Sequence, residues 1–474
     1  MKTKHASNRA GSKPAKGTAA AAANPSPGPD VTIRMYRQGL GDCFLIRLPS
    51  AGGKDYFILI DCGVILGTPN ANSVMQGVVK DILTTTGGRL DLLVATHEHW
   101  DHLSGFCQAK DLFAQLKGKV DQVWLAWTEN PNDPLAKQLR AEHTALRVAL
   151  TSAAARLRLA GADTSTTDSL LEFFGAAGQG TTGDALEIVK GLCDPKNLRF
   201  CLPSDAPVKP DGVEASIYVL GPPHDEAMIK KVNPSGKSPE TYELAGRCMT
   251  QLTDALTNED LLGPCDPTFC IPFDAASQMQ FFRTRYWGEN PDPDGERDQS
   301  WRRIDGDWLD AASTLALQLD SATNNTSLVL AIELAGGEVL LFAADAQVGN
   351  WLSWQTLKWK VNGQDVSGPD LLRRTVFYKV GHHGSHNATL RQKGLEMMEG
   401  LKFAMIPVDH QMALKKRWGN MPLDAIVETL GQKTGGCVLR VDQPVPPALA
   451  GVVTDKGLYY ELRMKSATWR TRGT

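Results

Sequence analysis

Three histidines and an aspartate lie within six positions of the segment "VATHEHWDHLSG": His97, His99, Asp101 and His102. Imidazole nitrogens and carboxylate oxygens are the ligands that zinc, manganese and iron accept. His97 and His99 are two positions apart, so an extended backbone directs both rings to the same side. The preceding apolar run predicts a buried strand, and open α/β sheets bind ligands beyond the carboxyl ends of such strands. We therefore predict a metal site here rather than a polar surface loop.

Apolar segments of strand length occur on both sides of this loop. We predict strands within 31–38, 43–49, 56–63, 91–96, 122–127, 216–223, 326–334, 338–345, 375–381, 403–408 and 437–441. Gly336 and Gly337 lie between two of these segments and predict a hairpin. Helical spacing of Ala, Leu, Arg and Glu predicts a helical segment within 133–193. We also expect helices between the later strands, at 387–399 and 422–432. This mixture of strands and helices predicts an α/β fold.

Composition restricts the class of protein. The chain has 474 residues, of which 42% are hydrophobic, and no apolar stretch reaches the roughly 20 residues that span a bilayer. We therefore expect no membrane partner. Nine scattered cysteines, an odd number without a CxxC pair, are typical of reduced thiols in a cytoplasmic protein.

Charge is distributed unevenly along the chain. Residues 1–30 are mostly Ala, Pro, Gly, Ser and Lys, which predicts a disordered basic tail. Residues 1–29 carry five basic and no acidic residues, so residues 30–474 carry a net charge of −8. An acidic body disfavours broad nucleic-acid binding, so a polyanionic substrate would have to be held by a local patch or by metal ions.

Four motifs together resemble a known family. The spacing from His97 to His102 resembles the signature of the metallo-β-lactamase superfamily. "LIDCG" places Asp61 in the upstream motif, "VLLFAADA" places Asp345 at the end of a strand, and "VFYKVGHHGSHN" contains His382 and His383. Over 33–106 and 323–389 the chain is similar to the hydrolase domain of the ComEC/Rec2 competence proteins and their soluble relatives.

The resemblance implies a four-layer αββα sandwich. Residues 31–474 would form one hydrolase domain, because the candidate ligands must meet, with helical and irregular insertions at about 128–213 and 225–322. It also implies two divalent metal ions, zinc or manganese, held by the ligand set His97, His99, Asp101, His102, Asp345 and His382. Asp345 would bridge the two ions, and Asp61 would support the metal loop.

The chain departs from the family pattern at two places. Most members have a histidine shortly before the hairpin that carries the bridging aspartate, and here Asn324 or Asn325 stands in its place. We expect Asn325 or a water to complete the first ion weakly. His224 is an alternative ligand, although its ordinary interpretation is a loop histidine. Ala344 precedes Asp345 where the family usually has glycine, which puts the local backbone in question.

A metal-dependent hydrolase is the function that the resemblance implies. Two ions would lower the pKa of water toward about 7, and Asp101 would orient the attacking water. His383 and Ser385 could donate to a phosphate oxygen or a leaving group, or be structural. We expect a phosphodiester substrate such as DNA, since the ComEC-like relatives are implicated in degrading DNA.

The sequence is compatible with other functions. The substrate could be another ester, an amide or a lactone, and the chain could be a non-catalytic binding protein on a decayed metal site. Arg283 and Arg285 lie among aromatic residues in "QFFRTRYWGENP", a composition that suits contacts to bases and phosphates but equally suits an insert with its own small core. The sequence does not indicate protein partners.

Overall fold

A computed structural model of the chain provides the structure. It describes residues 30–50, 52–159, 180–231, 273–286, 322–385, 387–416 and 421–465, together with the single positions 168, 171, 271, 320 and 418. The predicted basic tail, apart from residue 30, lies outside these ranges, as does most of the predicted insertion at 225–322.

The strands of the described ranges form two large sheets and one small hairpin. Their bounds are β1 Val31–Tyr36, β2 Phe44–Leu48, β3 Tyr56–Ile60, β4 Leu90–Ala95, β5 Val120–Ala126, β6 Leu198–Cys201, β7 Ala215–Gly221, β8 Val329–Leu334, β9 Val339–Phe342, β10 Lys358–Val361, β11 Gln364–Ser367, β12 Thr375–Lys379, β13 Phe403–Ile406, β14 Val438–Arg440, β15 Val453–Asp455 and β16 Tyr459–Met464.

The first sheet has eight strands in the order β15-β16-β1-β2-β3-β4-β5-β6. Its strands from β15 to β3 are antiparallel to their neighbours, and those from β3 to β6 are parallel. The second sheet has six strands in the order β14-β13-β12-β9-β8-β7, of which β14 to β9 run parallel. The carboxyl ends of β3, β4, β9 and β12 therefore supply loops that can meet at one edge of the pair.

Helices connect the strands. The longer ones are α1 Ala71–Thr86, α2 Trp100–Gln108, α4 Pro134–Leu159, α5 Thr182–Lys190 and α12 Asp424–Thr434. The shorter ones are α3 Lys110–Phe113, α6 Glu226–Ile229, α7 Phe273–Gln278, α8 Gln280–Tyr286, α9 Val348–Ser353, α10 Gly368–Arg373 and α11 His410–Lys415. A further helical turn covers 322–325. None of the helices in the described ranges combines the length and the apolar character needed to cross a membrane.

Three apolar clusters define the layers. One lies between the sheets, where Phe44 of the first sheet and Phe342 of the second have ring centroids 6.0 Å apart. A second joins the outer face of the first sheet to α1 and α2, and a third joins the outer face of the second sheet to α9, α10 and α12. Each large side chain that is fully buried in this way contributes about 1.5–3 kcal/mol. Helices thus cover both outer faces of the paired sheets.

The structure confirms most predicted elements and corrects one. All eleven predicted strand segments contain a strand, and α4, α5 and α12 lie where helices were expected. The predicted helix at 387–399 is wrong: within the described part of it, only Leu395–Met397 forms a 3-10 turn. The Ala388 carbonyl, which a helix would pair with a backbone amide four residues later, instead accepts from the Trp351 indole at 3.0 Å.

Segment 128–213 also differs from a simple insertion. Its β6 pairs in parallel with β5, so this segment supplies an edge strand of the first sheet as well as α4 and α5. The mixed α/β class predicted from the sequence agrees with the observed sheets and helices.

Candidate metal centre

Three short loops of the first sheet and two of the second converge at one edge. Backbone hydrogen bonds hold them together: Asp42 N donates to Asp101 O at 3.0 Å, and Cys62 N donates to His102 O at 2.9 Å. On the second sheet, His382 N donates to Ala344 O at 3.0 Å. The backbone therefore fixes where the polar side chains of these loops lie.

Two glycines allow this close approach. A Cβ at Gly41 would lie 2.5 Å from the Asp101 carbonyl oxygen, and one at Gly63 would lie 2.4 Å from the same atom. Real Cβ atoms do not approach backbone oxygens so closely, so neither position accepts a side chain without movement of α2. The motifs "GLGD" and "DCG" are thus explained by the packing of the loops around the start of α2.

His102 is held by a buried carboxylate. Asp61 Oδ2 lies 2.7 Å from His102 Nδ1, while the Thr96 backbone and hydroxyl donate to the same carboxylate at 2.8 and 2.7 Å. A proton on Nδ1 leaves Nε2 directed to the other side, where it lies 3.2 Å from Asp345 Oδ2. Asp61 therefore fixes the orientation of the His102 ring.

His383 is held between two acceptors. Its Nε2 lies 2.9 Å from Asp101 Oδ2 and its Nδ1 lies 2.7 Å from Pro407 O. Burial alone would lower the pKa of His383, but Asp345 and Asp101 raise it above its ordinary value. A ring with an acceptor at each nitrogen carries a proton on both nitrogens, so His383 holds a proton that it can release.

Asp42 and Lys379 belong to the same centre, although the sequence analysis did not name them as site residues. Lys379 Nζ lies 2.5 Å from Asp42 Oδ2 and 3.3 Å from Asp345 Oδ1, and it donates to Ala344 O at 2.9 Å. Burial would lower the pKa of Lys379, yet Asp42 and Asp345 raise it to about 12. The only sequence signal was their presence inside the quoted motifs "GLGD" and "YKVGHH".

Four of these side chains form what we call the acidic cluster, namely Asp42, His102, Asp345 and His383. Each offers one ligand atom, all within 4.8 Å of one another, and all four are buried. Burial would raise the pKa of Asp345, but His102 and Lys379 hold it well below its usual range. Within the described ranges, Asp101 Oδ1 and His102 Nε2 are buried without a hydrogen-bond partner. Such a donor set fits a metal ion, and the acidic cluster can hold one.

His97 and His99, which we call the histidine pair, lie beside this cluster. His97 Nε2 and His99 Nδ1 are 3.1 Å apart, as expected for two nitrogens that face one ion. Burial lowers the pKa of His97 well below its usual value, and burial lowers that of His99 to about 3. Both rings are therefore uncharged at neutral pH.

Two candidate ligands from the sequence do not reach the histidine pair. The Asn325 amide donates to Ile229 O at 3.0 Å and to Lys231 O at 2.9 Å, and its oxygen accepts from Gln347 N at 3.0 Å. His224 lies 2.9 Å from the Asp133 carboxylate and stacks near Trp127, with its side chain 46% exposed. Asn325 thus joins backbone segments, and His224 has the loop position of its ordinary interpretation.

The remaining predicted residues occupy varied places. His382 Nε2 lies 4.0 Å from Asp345 Oδ2, and burial lowers the pKa of His382 to about 4. Ser385 is buried and its hydroxyl donates to Asn387 Oδ1 at 3.0 Å. Arg283 and Arg285 lie on exposed α8, and their role in substrate binding stays a prediction.

The backbone around the centre is unusual. Four residues here have positive φ, namely Asp61 (55°), Ala344 (47°), His382 (43°) and His383 (53°). This region favours glycine, so Ala344 holds a conformation that costs an L-residue energy. Non-glycine residues in this conformation cluster at functional sites, where the surrounding structure compensates the strain.

Comparison with known proteins gives no further assignment. No protein-family model matches the chain, and no curated protein matches it. The functional conclusion therefore depends on the chemistry of the centre itself.

Proposed function

We propose that the protein is a metal-dependent hydrolase of phosphodiesters, with the metallo-β-lactamase type of fold. The observation that carries this proposal is the meeting of the histidine pair and the acidic cluster at one edge of two sheets. Buried ligand atoms from positions as distant as His97 and His383 converge there, and a core packed for stability alone would not bury so many ionisable groups together. Helices outside two facing sheets are also the layering that the resemblance implies.

His97 and His99 would hold one ion, and the acidic cluster would hold a second. Within that cluster, distance favours His383 as a ligand, but both of its nitrogens carry protons. His382, beside the acidic cluster, is uncharged and its Nε2 lies 4.0 Å from Asp345 Oδ2, so it is the better candidate to supply a lone pair. The chemistry that such ions supply is a lowered pKa of water, toward about 7, and polarisation of a phosphoryl oxygen.

The side chains of the chain supply orientation and protons. Asp61 fixes the ring of His102 so that Nε2 faces the centre. His383 holds a proton on Nε2 against Asp101 and can deliver it to a leaving oxygen, which would make it a general acid. Ser385, in the turn after His383, would contact a phosphate oxygen. Asp101 would orient the attacking water through its second carboxylate oxygen.

A phosphodiester can bind at this centre although the surrounding chain carries a net negative charge. The body of the chain carries a net negative charge, so the ions themselves would provide the positive charge that meets the phosphate. Arg283 and Arg285 of α8, with the adjacent Phe281 that is 63% exposed, would contact the rest of a DNA strand.

The test is a cleavage assay on protein stripped with a chelator and reloaded with manganese or zinc. Substrates are single- and double-stranded DNA, RNA and a small chromogenic phosphodiester. We expect metal-dependent cleavage that falls at least a hundredfold in Asp345→Asn, because this carboxylate faces His102, His383 and Lys379 together.

The matched control is Asp365→Asn, the same change on exposed β11. It should retain full turnover. If no phosphodiester is cleaved but an ester, amide or lactone is, the centre is hydrolytic and the substrate class is wrong. Full activity of Asp345→Asn would show that the centre lies elsewhere.

A further inference from the structure

Thr96 lies directly before the histidine pair, and its hydroxyl contacts three ionisable side chains. The hydroxyl oxygen Oγ1 lies 2.7 Å from Asp61 Oδ2, 3.1 Å from His97 Nδ1 and 3.4 Å from His102 Nδ1. Thr96 is buried, so side chains rather than bulk water supply the partners of this hydroxyl. Because a hydroxyl has one proton to donate and two lone pairs, these contacts determine which neighbour accepts and which one donates.

The hydroxyl proton of Thr96 is directed to Asp61. Two oxygens that lie 2.7 Å apart need a proton between them, and a carboxylate only accepts hydrogen bonds. His102 Nδ1 directs its own proton to the same carboxylate oxygen at 2.7 Å, so it has no lone pair for the hydroxyl. Thr96 therefore donates to Asp61, and its oxygen is left to accept a hydrogen bond.

This direction of donation places the proton of His97. Burial lowers the pKa of His97 well below its usual value, so the ring is neutral and carries a single N–H. That N–H is on Nδ1, where the Thr96 oxygen accepts it, and the lone pair is left on Nε2. Nε2 in turn faces His99 Nδ1 at 3.1 Å. The buried Asp320 carboxyl faces the other nitrogen of His99 at 3.7 Å, which is longer than a hydrogen bond.

We propose that Thr96 is a positioning residue of the histidine pair, whose hydroxyl holds the proton of His97 on Nδ1 and so keeps the Nε2 lone pair facing His99. This inference deepens the proposed metal-dependent function and rests on it. A hydrogen bond behind a ligating histidine sets which nitrogen can bind an ion. Asp61→Asn would still offer an oxygen to this hydroxyl, so it should weaken the hold on His102 and leave the proton of His97 in place.

Three variants isolate the hydroxyl. Thr96→Val removes it and keeps nearly the same shape, whereas Thr96→Ser keeps the hydroxyl and removes only the methyl group. Thr86→Val is the matched control, because the buried Thr86 hydroxyl donates to Ile82 O at 2.9 Å before the amino end of β4, and the centre lies beyond its carboxyl end. Thermal unfolding in chelator should show similar losses for both valine variants, since each removes one buried hydrogen bond.

Nitrogen-15 NMR of the metal-free, histidine-labelled protein measures the position of the proton directly. The signals of His97 are identified by their absence in His97→Gln. In wild type and in Thr96→Ser, we expect the chemical shifts of an N–H at Nδ1 and a lone pair at Nε2. In Thr96→Val the proton should move to Nε2 in a measurable fraction of the molecules, a change that a merely structural role of Thr96 would not produce.

Calorimetric titration with zinc and with manganese measures the consequence for metal binding. Thr96→Val should lose roughly 10–100-fold in affinity at one of two sites, the usual effect of removing a partner behind a ligand. Thr96→Ser and Thr86→Val should both bind the two ions as wild type does.

The outcomes separate this inference from the proposed function. If wild type binds neither zinc nor manganese, both fail. If wild type binds metal but the metal-free protein carries the His97 proton on Nε2, the inference is overturned and the hydrolase proposal stands. Equal metal affinity of Thr96→Val and wild type overturns it as well. An equal loss in Thr96→Ser and Thr96→Val would show that the shape of the side chain matters and not its hydroxyl, which also overturns it.

Discussion

The histidine pair and the acidic cluster lie side by side, but burial affects the charges of their side chains in opposite ways. His97 and His99 are uncharged, because burial disfavours their protonated forms. The acidic cluster instead pairs Asp345 with Lys379 and with His102, whose pKa the surrounding carboxylates, Asp345 first, raise above its ordinary value. A metal ion can therefore enter the pair without displacing a proton, whereas at the cluster it competes with protons and with an internal cation.

The largest test of this difference removes the internal cation. Lys379→Met leaves Asp42 and Asp345 buried without their common partner, and breaking such a pair costs roughly 3–5 kcal/mol. We expect this loss in the free energy of unfolding of the metal-free protein, measured in urea, and a smaller loss with manganese present.

Lys360→Met on exposed β10 is the control and should change stability little. The double variant Asp42→Asn with Lys379→Met should recover part of the loss, because one carboxylate is then neutral. Equal stability of the Lys379 and Lys360 variants would refute the charge balance of the acidic cluster.

The next prediction compares the metal affinity of the acidic cluster with that of the histidine pair. Asp61→Asn keeps a residue type that tolerates positive φ but removes the carboxylate that accepts from His102 Nδ1. Metal affinity should fall roughly 10–100-fold at the acidic cluster and stay unchanged at the histidine pair. Calorimetric titration with manganese resolves the two sites, and equal weakening of both would contradict their independence.

The stability of the metal-free protein should also depend on pH through the carboxyl group of Glu129. Burial, together with Glu98, raises the pKa of Glu129 to about 7. A carboxyl whose pKa is higher in the folded than in the unfolded chain binds more protons when folded, so stability falls as pH rises from about 4.5 to 7. With partial solvent screening, Glu129→Gln should gain about 1–2 kcal/mol over wild type at pH 8 and nothing at pH 4.

Unfolding in urea with chelator at several pH values measures this difference. Glu428→Gln on the exposed side of α12 is the matched control and should follow wild type throughout. A constant difference between Glu129→Gln and wild type across the pH range would show that packing, and not ionisation, causes the effect.

The smallest effect concerns the backbone before Asp345. Ala344 has a φ of 47°, a region that costs an L-residue roughly 1–2 kcal/mol and glycine nothing. Ala344→Gly should therefore raise the free energy of unfolding by about 0.5–1 kcal/mol after the larger entropy of unfolded glycine is subtracted. Ala346→Gly, two residues later and without positive φ, should lower it, and equal losses in both would mean that the Ala344 conformation carries no strain.

The sequence predicted the fold best where apolar runs are long. The core strands β1 to β5 and β7 to β9 follow such runs, whereas β6, β10, β11, β15 and β16 were not predicted. The missed strands are short, or mix polar with apolar residues, like "VTD" in β15 and "QDVS" in β11. Their backbone pairing with neighbouring strands stabilises them, and no local pattern records that pairing.

The site was predictable where ligands are contiguous and not where they meet through tertiary contacts. The segment from His97 to His102 is recognisable as a metal-binding motif from its composition alone. Asp42 and Lys379 sit in otherwise apolar segments, and only the packing of the first sheet against the second brings them within 2.5 Å. Asp320 gave no signal because the ring that it faces, that of His99, belongs to a different loop.

The pairing of β1 with β16 has a consequence for how the chain folds. Val31 lies opposite Met464, so β1 is synthesised long before the strand that pairs with its outer edge. Until then the outer edge of β1 presents unpaired backbone groups of the kind that recruit other chains. Such non-local pairing is slow to form, so we expect the first sheet to close late and synthesis to pass through a state prone to association.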